Sequence, residues 1–170
     1  MSEGPETAGR GAGVRVRPAY PRDLTTLVEF NRAMAHETED RALDPAVVTA
    51  GVQSVLDDPG RGSYFVAERD GRVVGGLLLT FEWSDWRNGV FWWIQSVYVR
   101  PGDRGGGVFR ALYDHVRTKA RVTPGACGLR LYVERGNAHA RRVYAAVGMV
   151  ESAYRLYEVD FVLGSAGGLG

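Results

Sequence analysis

Two apolar runs, Ser63 to Arg69 and Arg72 to Glu82, are separated only by Asp70-Gly71. A two-residue Asp-Gly connection between such runs signals a tight hairpin, because both residue types accept the left-handed backbone that the turn requires. The chain is therefore committed to an antiparallel pair near its middle, and neighbouring segments read as partners or covers for it. Val90 to Val99 is long, β-branched and aromatic, closes at Pro101-Gly102, and reads as a third strand. Trp83 to Gly89 is a polar, aromatic connection between strands.

The flanks extend this pattern. Val14-Arg15-Val16-Arg17 alternates like a half-buried strand and stops at Pro18. Pro21-Arg22-Asp23 opens a helical pattern that places Leu24, Leu27, Val28 and Met34 on one side. Asp44-Pro45 supplies a cap and a first-turn proline for a second helix to about Leu56, before Pro59-Gly60. Beyond the third strand, Val108 to Arg121 reads as helix, Leu129 to Glu134 as strand, Ala138 to Val147 as helix and Tyr154 to Phe161 as a final alternating strand. The order β-α-α-β-β-β-α-β-α-β predicts an α/β (α+β) fold: a central mixed, largely antiparallel sheet with helices on both faces. One domain is expected over residues 14–163. The Gly-rich and polar segments 1–13 and 164–170 read as a mobile leader and a flexible tail.

Composition narrows the function classes. Among 170 residues, 45% hydrophobic and 24% charged content is that of a globular domain, and no apolar run approaches the ~20 residues of a spanning helix. A net charge of +1, with scattered arginines, makes no electrostatic case for nucleic acid. The lone Cys127 excludes an internal disulfide and a multi-cysteine zinc site. A cytoplasmic protein without membrane association or bound metal is expected.

The segment from Val97 to Val108 runs from strand through Arg100-Pro101-Gly102-Asp103-Arg104-Gly105-Gly106-Gly107 into helix. A helix start leaves its first amides without intrahelical partners and carries partial positive charge, while glycines let backbone approach a pyrophosphate closely. Three glycines alone fit both a phosphate cradle and a plain strand-to-helix turn. The sequence lacks the Gly-Lys-Ser/Thr ending of a nucleotide-triphosphate loop and the spacing of a dinucleotide fingerprint.

Here the chain resembles the GNAT N-acetyltransferase superfamily, whose cofactor loop reads Arg/Gln-x-x-Gly-x-Gly/Ala after a strand. Arg104 and Gly107 match, and Phe109 stands where Gly or Ala is usual. The resemblance implies acetyl-CoA as co-substrate. It assigns Val97, Tyr98 and Val99 to the pantetheine arm and the turn through Arg104, Gly105, Gly106, Gly107, Val108, Phe109 and Arg110 to the diphosphate. It further implies that the strand of Val97 to Val99 splays from the one beyond it, and it allows a homodimer.

Asn137-Ala138-His139-Ala140-Arg141-Arg142-Val143-Tyr144, followed by Gly148-Met149, resembles the family's late helix. At helical spacing Asn137, Arg141 and Tyr144 share a stripe. The resemblance makes Tyr144 the acid that protonates the departing thiolate and gives Asn137 and Arg141 cofactor contacts. Read alone, Asn137 is equally a helix cap, Arg141 a solvated charge and Tyr144 a packed ring.

On the acceptor side, Glu82 ends a strand beside Trp83-Ser84-Asp85-Trp86 and is a candidate base, with Asp85 next. Glu37, near the end of the first helix, is a candidate to attract an ammonium group, and Trp83 and Gln95 are candidates to line its pocket. Adjacent Trp92 and Trp93 must face opposite sides of the sheet, so one is expected in the core and the other, with Trp83 or Trp86, at an acceptor site or a dimer contact. The expected activity is transfer of acetyl to a small-molecule primary amine. A protein N-acetyltransferase and a non-catalytic acyl-CoA-binding domain are the alternatives.

Overall fold

The computed structural model describes residues 13–162, so the expected leader (apart from Gly13) and tail lie outside the described residues. They fall into two compact units that divide after Tyr132.

The first unit holds five strands: β1 (Arg15–Pro18), β2 (Ser63–Arg69), β3 (Arg72–Ser84), β4 (Gly89–Val99) and β5 (Ala126–Leu131). They lie in the spatial order β1-β2-β3-β4-β5. The first three pairings are antiparallel and β4 with β5 is parallel. The mixed, largely antiparallel sheet is thus present. Asp70 and Gly71 have φ of 52° and 73°, the double left-handed turn that Asp-Gly favours, and Arg69 pairs with Arg72 across it.

Three helices pack on this sheet: α1 (Leu24–Glu39), α2 (Pro45–Asp57) and α3 (Val108–Val122). The Asp44 carboxylate accepts from the amides of Ala46 and Val47, at 2.8 and 3.4 Å, so α2 starts where the sequence places its cap. Such a cap contributes about 1 kcal/mol. Adjacent residues Gly75 and Gly76 of β3 show the layering. A Cβ on Gly75 would meet Val108 of α3 at 2.9 Å, whereas one on Gly76 would meet Leu27 and Phe30 of α1 at 3.5 and 3.7 Å. Successive strand residues point to opposite faces, so α1 and α3 cover opposite sides. Val108, Ala111, Leu112, Tyr113, Val116 and Ala120 form the buried stripe of α3. Burying a side chain like Leu112 contributes roughly 1.5–3 kcal/mol.

Beneath the sheet's first edge, Arg17 donates to Asp23 at 2.7 and 3.0 Å and to Glu68 at 2.6 and 2.8 Å. Burial alone would raise the Asp23 carboxyl, but bonds from Arg17 and the Tyr20 amide hold it below its ordinary value. This cluster ties β1, the start of α1 and β2 together.

Three boundaries differ from expectation. β3 reaches Ser84, which pairs with Gly89, so the expected Trp83 to Gly89 connection shrinks to a short turn. β5 spans Ala126–Leu131 rather than Leu129 to Glu134. Its beginning, with Cys127 and Gly128, has weak strand propensity, yet Ala126 pairs with Val90, and Phe91 lies where a Gly128 Cβ would stand, at 2.6 Å. The second unit contains α4 (Ala138–Ala146), and the final strand expected at Tyr154 to Phe161 is absent, with Tyr154, Leu156, Tyr157, Val159 and Phe161 all exposed. Alternation is a side-chain pattern, and it becomes a strand only where a ladder partner satisfies the backbone.

Candidate active site

The central strand β4 changes character midway. From Val90 to Ile94 it pairs with β3 on one edge and with β5 on the other. The β5 ladder ends at Ile94↔Leu131. On the β3 side, Leu78 pairs with Gln95 and Gly76 with Tyr98, so Ser96 and Val97 together stand opposite Leu77. Ser96 takes a left-handed φ of 48°. This β-bulge turns the strand. Beyond it, Tyr98 and Val99 stay bonded to β3, while among the described residues their other edge has no ladder partner. A bare strand edge offers alternating donors and acceptors to an extended ligand.

The glycine-rich turn follows directly. Gly105 and Gly107 adopt φ of 76° and 78°, and Gly107 is the N-cap of α3, with no side chain to reach the first-turn amides. The positive end of the helix dipole therefore meets a glycine backbone. A Cβ on Gly105 would touch nothing within 4 Å, so conformation rather than crowding selects glycine there. Val108 is buried beneath the turn. The ring of Phe109 stacks on Tyr113 one turn along α3, with centroids 6.0 Å apart, and Arg110 is exposed.

Arg104 is engaged within the protein. It donates to Glu37 Oε2 at 2.6 Å and to the Val99 carbonyl at 2.9 Å, and it lies 5.4 Å from the Tyr98 ring centroid. Tyr98 donates its hydroxyl to Glu37 Oε1 at 2.8 Å. Burial would raise Glu37, but these two bonds hold its carboxyl below the ordinary range. Burial, together with the Glu37 bond and charge, pushes the Tyr98 phenol up. The sequence named all three residues without indicating that they form one network.

Further along the α1 side of the sheet, register places Glu82 beside Phe91, Thr80 beside Trp93 and Leu78 beside Gln95. Glu82 accepts from Trp93 Nε1 at 2.7 Å and from Arg130, whose guanidinium lies 3.7 Å from the Phe91 ring centroid. Glu82 thus sits between a ring N–H donor and a guanidinium. Gln95 donates to Thr80 Oγ1. Trp93 is half-buried and packs on Tyr132, centroids 4.4 Å apart, whereas Trp92 is core and packs edge-on to Phe81. Trp83 is 62% exposed. Sequence reading missed Arg130, Thr80 and Tyr132. Alternation puts Arg130 of β5 and Tyr132, just past its end, on one face, but only the register shows that it is the face of Glu82 and Trp93.

In the second unit, Asn137 Oδ1 accepts from the Ala140 amide at 3.0 Å, making it the cap of α4. Arg141 pairs with Glu151 at 2.9 Å. Burial raises the Tyr144 phenol, which is therefore protonated at neutral pH.

A strand edge that opens midway and leads into a helix start capped by glycine offers backbone groups suited to a ligand extended at one end and anionic at the other. The acetyltransferase (GNAT) family model matches residues 24–149, and the chain belongs to this family. It is an acetyl-CoA-dependent acyltransferase. A possible acetyltransferase from Clostridium difficile 630 is 40% identical, with a TM-score of 0.81 over 88% of this chain and 98% of that one. Two structures share the fold at lower identity. A ribosomal-protein-alanine N-acetyltransferase from Brucella melitensis biovar Abortus 2308 is 20% identical, with a TM-score of 0.70 over 87% of this chain and 99% of that one. An aminoglycoside acetyltransferase from an uncultured soil metagenomic sample, in complex with sisomicin, is 14% identical, also with a TM-score of 0.70, over 87% and 97%. No curated protein matches the chain.

Proposed function

We propose that the enzyme transfers the acetyl group of acetyl-CoA to a primary amine of a small molecule by direct attack. The observation that carries this reading is the bare edge of β4 running into the Gly107-capped start of α3. Acetyl-CoA supplies an activated thioester carbonyl. In this reading the edge formed by Val97, Tyr98 and Val99 holds the pantetheine arm, and the turn from Gly105 to Arg110, with Arg104, holds the diphosphate. The family resemblance also gives cofactor contacts to Asn137 and Arg141. The match of one family over 24–149, across the boundary between the units, supports treating 14–163 as one catalytic domain.

A β4 amide aimed at the carbonyl oxygen stabilises developing negative charge, an effect worth ~3 kcal/mol for one donor. Fixing amine and carbonyl together removes a larger share of the barrier. Glu82 takes the amine proton, directly or through water, and Tyr144 holds a proton for the departing sulfur. Trp93 and Glu82 support a small cationic acceptor, since ring and carboxylate both attract an ammonium group. Glu37 of α1 and Gln95 lie on the Glu82 side of the sheet, whereas alternation along β3 turns Trp83 to the opposite face, against the expectation that it lines the acceptor pocket. Dependence on acetyl-CoA supports a cytoplasmic location, and among the described residues no helix is long and apolar enough to cross a membrane.

Free-thiol release from acetyl-CoA across a panel of small amines tests the reading. At least one amine should drive release above the hydrolysis background, and Tyr144→Phe should lower that turnover ~10²-fold while acetyl-CoA still binds. Binding without acceptor-dependent release would instead mark a non-catalytic acyl-CoA-binding domain. Release with peptide amines alone would mark a protein acetyltransferase.

A further inference from the structure

The buried carboxylate of Asp103 has no part in the chemistry above, yet it lies inside the glycine-rich turn at 8% exposure. Its Oδ1 accepts from Arg69 Nη1 at 2.9 Å and its Oδ2 from Arg72 Nη2 at 3.1 Å. Arg69 uses its second terminal nitrogen to donate to the Gly106 carbonyl, also at 2.9 Å. These arginines end β2 and begin β3, facing one another across the Asp70-Gly71 turn. The tip of the hairpin is therefore bonded to the turn at two of its residues, 31 to 37 positions further along the chain.

The contact to Gly106 carries the consequence. In a planar trans peptide, the carbonyl of one residue and the N–H of the next point in opposite directions. Holding the Gly106 carbonyl against Arg69 thus turns the Gly107 N–H away from the hairpin. The approach is close: a Cβ on Gly106 would stand 2.9 Å from Arg69 Nη2. A run of three glycines has the greatest freedom to lose, and fixing each backbone costs roughly 1–2 kcal/mol. If that ordering were left to the ligand, affinity would fall accordingly.

We infer that Arg69 and Asp103 are positioning residues that preorganise the glycine-rich turn for the diphosphate of acetyl-CoA, with the β2–β3 hairpin as their anchor. This rests on the proposed role of that turn. Arg69 acts through Gly106 rather than by touching the reacting atoms. Arg72, 66% exposed at its side chain, braces the far oxygen of Asp103.

Calorimetric titration with acetyl-CoA and steady-state kinetics, each with a melting curve, test this on the full chain. Arg69→Ala and Asp103→Asn should each raise the Kd and KM for acetyl-CoA about tenfold, the scale of a charge-assisted hydrogen bond. Turnover at saturating acetyl-CoA and the amine KM should stay within about twofold of wild type. Arg69→Lys, which retains charge but cannot bond both Asp103 and Gly106 in the same fork, should fall between. If Arg69→Ala does not fold, Asp103→Asn, which keeps the shape of the side chain, decides. A folded variant with wild-type affinity would overturn the inference, and so would a fall in turnover with unchanged KM. Wild-type protein that does not bind acetyl-CoA would overturn the proposed function first and this role with it. Wild-type binding with unaffected variants would overturn only the positioning role.

Discussion

The two halves of β4 are one strand by sequence and two devices by structure. Val90–Ile94 is paired on both edges and supplies Phe91, Trp92 and Ile94 to the core. In Gln95–Val99, Gln95, Tyr98 and Val99 pair with β3 and, among the described residues, with no other strand, and this half holds a left-handed residue and leads into a glycine turn. The first half is apolar and β-branched or aromatic, and so are Val97, Tyr98 and Val99 of the second, so propensity marks only Gln95 and Ser96 as different. What separates them is the length of β5: its ladder satisfies the first half and ends before the second. The first half uses its backbone groups in the fold, and the second leaves open the edge proposed for the pantetheine arm.

Substitution can break that division of labour. The largest effect is expected for Trp92→Ala, which opens a core cavity in the paired half and should cost about 3–5 kcal/mol, read by chemical denaturation. Unchanged stability there would dissolve the contrast. Arg104→Ala, at the end of the open half, should weaken acetyl-CoA binding by roughly 1.5–3 kcal/mol with little change in melting temperature. A titration matching wild type would remove Arg104 from the binding set.

Ser96→Val places a β-branched side chain at φ of 48° and should cost about 1–3 kcal/mol, whereas Ser96→Gly should be tolerated. Equal stability of the two variants would show that the bulge does not depend on that residue. The smallest effect concerns Glu37, whose carboxyl is held low by Arg104 and Tyr98 against the opposing effect of burial. A folded-state pKa below the unfolded one adds stability above the unfolded pKa, and that increment is lost as pH falls through the folded value. Because both partners are partly exposed, the loss should not exceed about 1 kcal/mol. Comparing denaturation of wild type and Glu37→Gln at pH 7 and below pH 4 reads it. A difference that grows toward acid would reverse the assignment.

Features encoded by neighbouring residues were legible beforehand. Asp70-Gly71, the Asp44-Pro45 cap and the step from Val99 through three glycines into α3 were read from local chemistry, and each stands where expected. The alternation from Tyr154 to Phe161 misled for a physical reason: the same period describes a strand and an exposed extended segment, and only a partner distinguishes them. Glu82 was legible as a carboxylate late in a strand that in fact runs on to Ser84, but its contacts with Arg130 and Trp93 were not. Their contact depends on the register of β4 and β5, and a one-residue slip would turn them to the other face.

The sequence by itself settled the kinds and order of the elements as far as α4, the likeness to one acyltransferase family and the position of the glycine-rich turn. Each of these is written in backbone preference and spacing over a few residues. Tertiary structure alone decided where β4 stops being paired, that Ser96 bends it, that Arg104 meets Glu37, and that Arg69 and Arg72 grip Asp103. Those outcomes join residues separated by tens of positions, and they exist only once ladder register has fixed which groups are within about 3 Å, the range in which a hydrogen bond holds.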